Sequence, residues 1–188
     1  MKISSSILKA FSAISFLWFG SLAGAGLVFI TNVVLARELT PSSYGVFAAA
    51  LATITLLVPL AGFGVHSFWL KAFGAEGWGA VRWLTQSFRF VILSTTVTVL
   101  LLAVWAAFGP HDESFRWLLY WLLPVVVGNL LIELVSAKLQ LEERYSTLGL
   151  WRLMPHFARL LLVLLVVSGA TGQVSLNTIA VTYAAVAF

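Results

Sequence analysis

Two stretches of the chain carry polar residues at helical spacing within apolar surroundings. In the first, Asn129, Glu133, Ser136, Gln140 and Glu143 recur at i, i+4, i+7, i+11 and i+14, which aligns them along one side of a helix. In the second, Arg152, His156 and Arg159 recur at i, i+4 and i+7 beside Pro155. The first stripe offers an acid that can titrate or pair. The second offers guanidinium and imidazole groups that attract an anion. If the two helices form a hairpin turning near Ser146, Glu133 falls level with Arg159, Ser136 with His156 and Gln140 with Arg152, each pair being equidistant from the turn. A charged side chain at bilayer depth costs about 2.5–3.5 kcal/mol on insertion scales, so each must face a partner or water. The stripes therefore either pin two helices together or edge a wet cavity.

Bilayer depth follows from the composition: 61% of residues are hydrophobic and 10% charged, against about 45–50% and 25% in soluble domains. Such a chain is an integral membrane protein. Its +4 charge does not indicate a nucleic-acid partner, because the cations lie between apolar spans and form no single basic face. Cysteine is absent, which excludes a disulfide framework and thiolate metal sites.

Apolar runs separated by short polar elbows predict an all-α polytopic transmembrane bundle, one domain over 1–188. Its helices are expected at about 11–36, 44–65, 90–108, 117–137, 150–168 and 176–188. Lys2 and Lys9 before an apolar run resemble a secretory signal, but the hydrophobicity from 11 to 36 outlasts the ~7–15 residues of a signal core. It is long enough for ~30 Å of hydrocarbon. The last run is shorter than the ~20 residues a span needs, so the sixth helix is read as incomplete. Gly20 and Gly24 form a small-xxx-small face suited to close helix packing, and Pro59 is expected to bend the second helix. Between 66 and 89, Trp69, Trp78 and Trp83 alternate with Lys71, Arg82 and Arg89, the pattern of a segment lying in the membrane interface.

Enzymatic constellations are missing from the pattern. His66, His111 and His156 lie about 45 residues apart, in segments expected at different membrane faces, which disfavours a zinc site. A Ser-His-Asp relay would depend on Asp112, the sole Asp, next to His111 in a short elbow. No phosphate-cradling glycine loop occurs. Neither a metal nor a cofactor is expected, and the chain is not read as an enzyme.

At the first polar elbow, Thr40 can cap a helix whose first residue is Pro41, while Arg37 sits at the negative end of the preceding helix. The order Leu35, Ala36, Arg37, Leu39, Pro41, Tyr44, Gly45, then an apolar helix closing at Gly64, resembles the N-terminal helical hairpin of Wzx-type polysaccharide flippases. These belong to the multidrug/oligosaccharidyl-lipid/polysaccharide exporter superfamily. A weaker likeness lies in the segment 137–145, AKLQLEERY. The resemblance implies an N-terminal six-helix lobe of a two-lobed transporter in the bacterial inner membrane, carrying a polyprenyl-pyrophosphate-linked oligosaccharide outward by alternating access. It implies headgroup contacts at Arg152, His156 and Arg159, with His66 and Lys71 at the inner mouth, while Asn129 and Glu133 serve as intramembrane partners. Arg37, Pro41, Tyr44, Gly45 and Gly64 then shape the elbow and its helix. Partners would be the lipid bilayer, the lipid-linked oligosaccharide, and a C-terminal lobe or partner subunit. A drug or cation antiporter of the same superfamily is a second reading, with Glu133 as the titrating acid. A truncated, non-transporting membrane subunit is a third.

With the N-terminus cytoplasmic, the inner segments hold Lys2, Lys9, Lys71, Arg82, Arg89, Lys138, Arg144, Arg152 and Arg159, and the outer segments only Arg37 and Arg116, as the positive-inside rule requires. Reporter fusions are expected to be extracytoplasmic near Asp112 and cytoplasmic near Arg144. The reverse pattern refutes this topology.

Overall fold

The computed structural model describes residues 2–169 and 175–186, with side chains from residue 15 onward. The described residues are helical throughout apart from short connections, and contain no strand. In order they form α1 (Lys2–Glu38), α2 (Pro41–Gly62), α3 (Val65–Glu76), a 3₁₀ segment (Gly77–Trp83), α4 (Leu84–Phe108), α5 (Glu113–Leu141), α6 (Tyr145–Gly169) and α7 (Leu176–Ala185). Helices prevail because hydrocarbon offers no hydrogen-bond partner, and a helix satisfies its backbone within one segment.

The elbow between α1 and α2 is built as its residues dictate. Thr40 caps α2, its hydroxyl oxygen accepting from the Ser43 N–H at 3.3 Å, and Pro41 occupies the first turn. At the other end of α2, Phe63 (φ 45°) and Gly64 (φ 75°) adopt left-handed conformations. They interrupt the helix about one turn after Pro59, where a bend was expected, so α2 ends at Gly62 rather than near 65. The released carbonyl of Ala61 accepts hydrogen bonds from the hydroxyls of Ser94 and Thr95 in α4.

Four helical stretches are long and apolar enough to cross a membrane: Ser15–Glu38, Pro41–Phe108, Glu113–Leu141 and Tyr145–Gly169. The second, of 68 residues, doubles back on itself. α2 and α4 pack together, Phe63 meets Phe90 with ring centroids 6.0 Å apart, and the reversal lies around Gly77 (φ 57°). The described chain thus has five long helices, α1, α2, α4, α5 and α6, where six were expected. α7 has ten described residues, about 15 Å of rise, and the expected helix at 176–188 runs beyond the described residues at 187.

The main core gathers Phe47, Ala50 and Ile54 of α2, Leu102 and Ala106 of α4, Leu118, Leu119 and Leu122 of α5, and Ile179 and Tyr183 of α7. Trp69, expected in the interface, is instead 5% exposed. It belongs to a second cluster with Val65, Val91, Leu130 and Ala137, because the break at Phe63–Gly64 turns α3 back against α5. Trp78, in the 3₁₀ segment, is 83% exposed.

α1 packs chiefly on α6, and its glycines make this possible. A Cβ at Gly20 would lie 3.8 Å from the backbone of Gly149, and one at Gly24 only 3.2 Å from the His156 ring. Gly26, two residues on, faces open space. α1 gains the same propensity when either glycine is replaced, so the contrast between sites isolates packing. Gly24→Leu is expected to destabilise the protein in detergent by about 1–3 kcal/mol relative to Gly26→Leu, the usual range for overpacking. Thermal unfolding of the two variants measures the difference.

Candidate functional site

A cavity of about 740 Å³ lies among α1, α2, α5 and α6. α1 contributes Gly20, Ser21 and Gly24 to its wall, and α2 contributes Leu51, Thr55 and Val58. From α5 come Asn129, Glu133 and Ser136, and from α6 Arg152, Pro155, His156 and Arg159. Asn129, Glu133 and Ser136 of the first stripe and all three residues of the second therefore line one space, with Gln140 and Glu143 outside it; the glycines of α1 bring that helix close without side chains to fill the space.

The vertical register differs from the expected one. The α5–α6 turn lies at Glu142–Arg144, where Glu143 is left-handed (φ 55°), about three residues before Ser146. Trp151 donates its indole N–H to the Ile132 carbonyl at 3.3 Å, setting Glu133 near the level of Arg152. Arg159 then stands about 10 Å farther along α6, seven residues at ~1.5 Å each. The expected pairing of Glu133 with Arg159 is consequently not formed.

Glu133 instead meets His66, with 3.3 Å between Oε2 and Nδ1. The other ring nitrogen of His66 is 2.9 Å from the Ser67 hydroxyl. Asn129 donates its side-chain N–H to the Val125 carbonyl at 2.9 Å. Arg159 lays its guanidinium over the Tyr183 ring, 4.4 Å from the centroid. Ser136 Oγ, His156 Nδ1 and Arg159 Nε are buried without a hydrogen-bond partner among the described residues. Buried polar atoms are rarely left so, and three in one cavity wall call for water or a polar ligand.

The remaining site residues separate from this group. Lys71 is exposed on α3 and does not line the cavity. His66 reaches it through Glu133 rather than by lining it. Arg37 is exposed at the end of α1, and Gly45 has open space around it. Tyr44 lines a separate groove of about 510 Å³ with Asn32 and Phe47, while Gly64 supplies a positive φ at the start of α3. Tyr183 and Thr55 escaped the sequence reading. Tyr183 is a single polar ring within an apolar run, and only the docking of α7 reveals its partner.

The cysteine-free sequence allows the cavity's wetness to be measured directly. Cysteines replacing Ser21 or Thr55 are expected to react readily with a water-soluble maleimide, whereas one replacing Leu101, 62% exposed on the outer surface of α4, should stay unreactive in the bilayer. Equal protection of all three would mean the cavity is dry.

Comparison with curated proteins and with solved structures finds no match to the chain. A family model described as polysaccharide biosynthesis protein matches residues 11–187. This match covers the cavity's four helices, and the chain belongs to the polysaccharide biosynthesis protein family.

Proposed function

We propose that the chain is the N-terminal lobe of a Wzx-type flippase. In this reading it moves polyprenyl-pyrophosphate-linked oligosaccharide across the bacterial inner membrane, with its N-terminus in the cytoplasm. The observation that carries the reading is a cationic wall, Arg152, His156 and Arg159, lining a cavity among long apolar helices in a chain of the polysaccharide biosynthesis family. An anionic headgroup favours fixed cations in a water-accessible space between helices. The sugars would meet the hydroxyls of Ser21, Thr55 and Ser136, and the lipid tail could remain in the bilayer. Arg152, His156 and Arg159 are the proposed headgroup contacts, and His66, held by Glu133, stands beside the inner mouth. Lys71 is proposed to meet lipid headgroups at the membrane surface rather than the cargo.

One observation favours a second reading: Glu133 lines the cavity and is held by an imidazole, the arrangement an ion-coupled antiporter of the superfamily would use. Transport that stops when the sodium and proton gradients are collapsed, with no effect on lipid-linked sugar levels in a deletion strain, would select it.

For the flippase, deletion is expected to accumulate lipid-linked oligosaccharide on the inner leaflet. Arg152→Gln and Arg159→Gln should each lower export about ten- to a hundredfold, the effect of losing one charged hydrogen bond. Normal lipid-linked sugar levels in the deletion strain would refute the reading.

A further inference from the structure

We propose that Tyr183 is a positioning residue for Arg159, and that the fixed guanidinium of Arg159 is the strongest anion contact in the cavity. The inference rests on the reading of this cavity as an anion site and adds which cation dominates and what holds it. Arg159 differs from Arg152 in two respects. Arg152 stands near the level of Glu133, whose carboxylate competes with any incoming anion. Arg159 stands about 10 Å away along α6; among the described residues neither arginine has a carboxylate within ion-pair distance, so the two differ in their distance from the level of Glu133 and in the ring that Arg159 rests on.

Its partner is a neutral ring. The guanidinium carbon lies 4.4 Å from the Tyr183 centroid, close enough for cation–π attraction. Tyr183 is itself only 2% exposed and is wedged edge-on against Phe47, with centroids 5.0 Å apart at 78°. Three helices, α2, α6 and α7, thus meet at this stack. A guanidinium held by a ring face spends none of its N–H donors on that contact, whereas a salt bridge would consume them. The Nε of Arg159 is buried without a partner among the described residues, which leaves the terminal N–H groups as the donors to the cavity. The stack therefore orders a flexible side chain in advance while leaving its terminal N–H groups for a phosphate-type oxyanion, which lowers the entropic cost of binding.

The test uses the full chain in detergent with inorganic pyrophosphate as the probe, and reads affinity from tryptophan fluorescence. Tyr183→Phe preserves the ring and is expected to bind as the unmodified protein does. Replacing Tyr183 by a multiply fluorinated phenylalanine, which keeps the shape but drains the ring of π density, should weaken binding about tenfold. In an Arg159→Gln background the same fluorination should change nothing more, and Arg152→Gln should weaken binding less than Arg159→Gln. A purely structural role for Tyr183 would not respond to ring electronics. If the unmodified protein binds pyrophosphate and fluorination has no effect, or if Tyr183→Phe alone abolishes binding, the positioning role is overturned while the anion cavity stands. An equal or larger loss in Arg152→Gln overturns the ranking of the two arginines. Failure of the unmodified protein to bind pyrophosphate overturns the positioning role together with the anion reading of the cavity.

Discussion

The rest of the structure depends on one constraint: in hydrocarbon, two helices gain little by burying leucine against each other, because lipid tails are as apolar as leucine. Close backbone approach and polar contacts must hold the bundle instead. α1 meets α6 where Gly20 faces Gly149 and Gly24 faces His156, and α4 meets α2 where two hydroxyls reach the Ala61 carbonyl. Each contact also repairs something. The glycines offset the bulk of an imidazole, and the hydroxyls satisfy a carbonyl freed by the left-handed break at Phe63 and Gly64.

The same contacts place the polar groups. α6 presents Gly149 and His156 to α1 and, on nearly the same face, Arg152 and Arg159 to the cavity. Packing and charge thus share one stripe, with His156 belonging to both. α5 carries Asn129, Glu133 and Ser136 toward the same space, so the cavity is bounded by an acid at one level and an arginine without an acid at another.

Much of this was legible in the sequence, and the failures have physical causes. Composition and hydropathy marked the long helices because lipid enforces them. Thr40 and Pro41 marked the α1–α2 elbow through capping chemistry that needs no tertiary information. The stripes on α5 and α6 followed from helical spacing, and three residues of each line one cavity, while Gln140 and Glu143 lie outside it. The vertical register was not legible, because Glu143 rather than a glycine takes the left-handed conformation at the α5–α6 turn, and a shift of three residues there changes which charges are level. The His66–Glu133 pair escaped because it depends on the break at Phe63–Gly64 swinging α3 against α5. Trp69 was misplaced for the same reason. Tyr183 could not be assigned a partner from a sequence in which its helix had no evident neighbour.

The cationic face of α6 also bears on how the protein sits in the membrane. On insertion scales two arginines near the centre of a span cost about 5–7 kcal/mol, and some ten leucines and valines return about 3–6. The arginines therefore offset much of what the apolar residues of α6 gain in lipid. The neighbours of α6 tip the balance: Glu133 on α5 stands near the level of Arg152, the glycines of α1 receive the His156 edge, and the Tyr183 ring shelters Arg159. The two arginines are thus cheaper to hold in the bilayer beside these neighbours than on α6 alone in lipid.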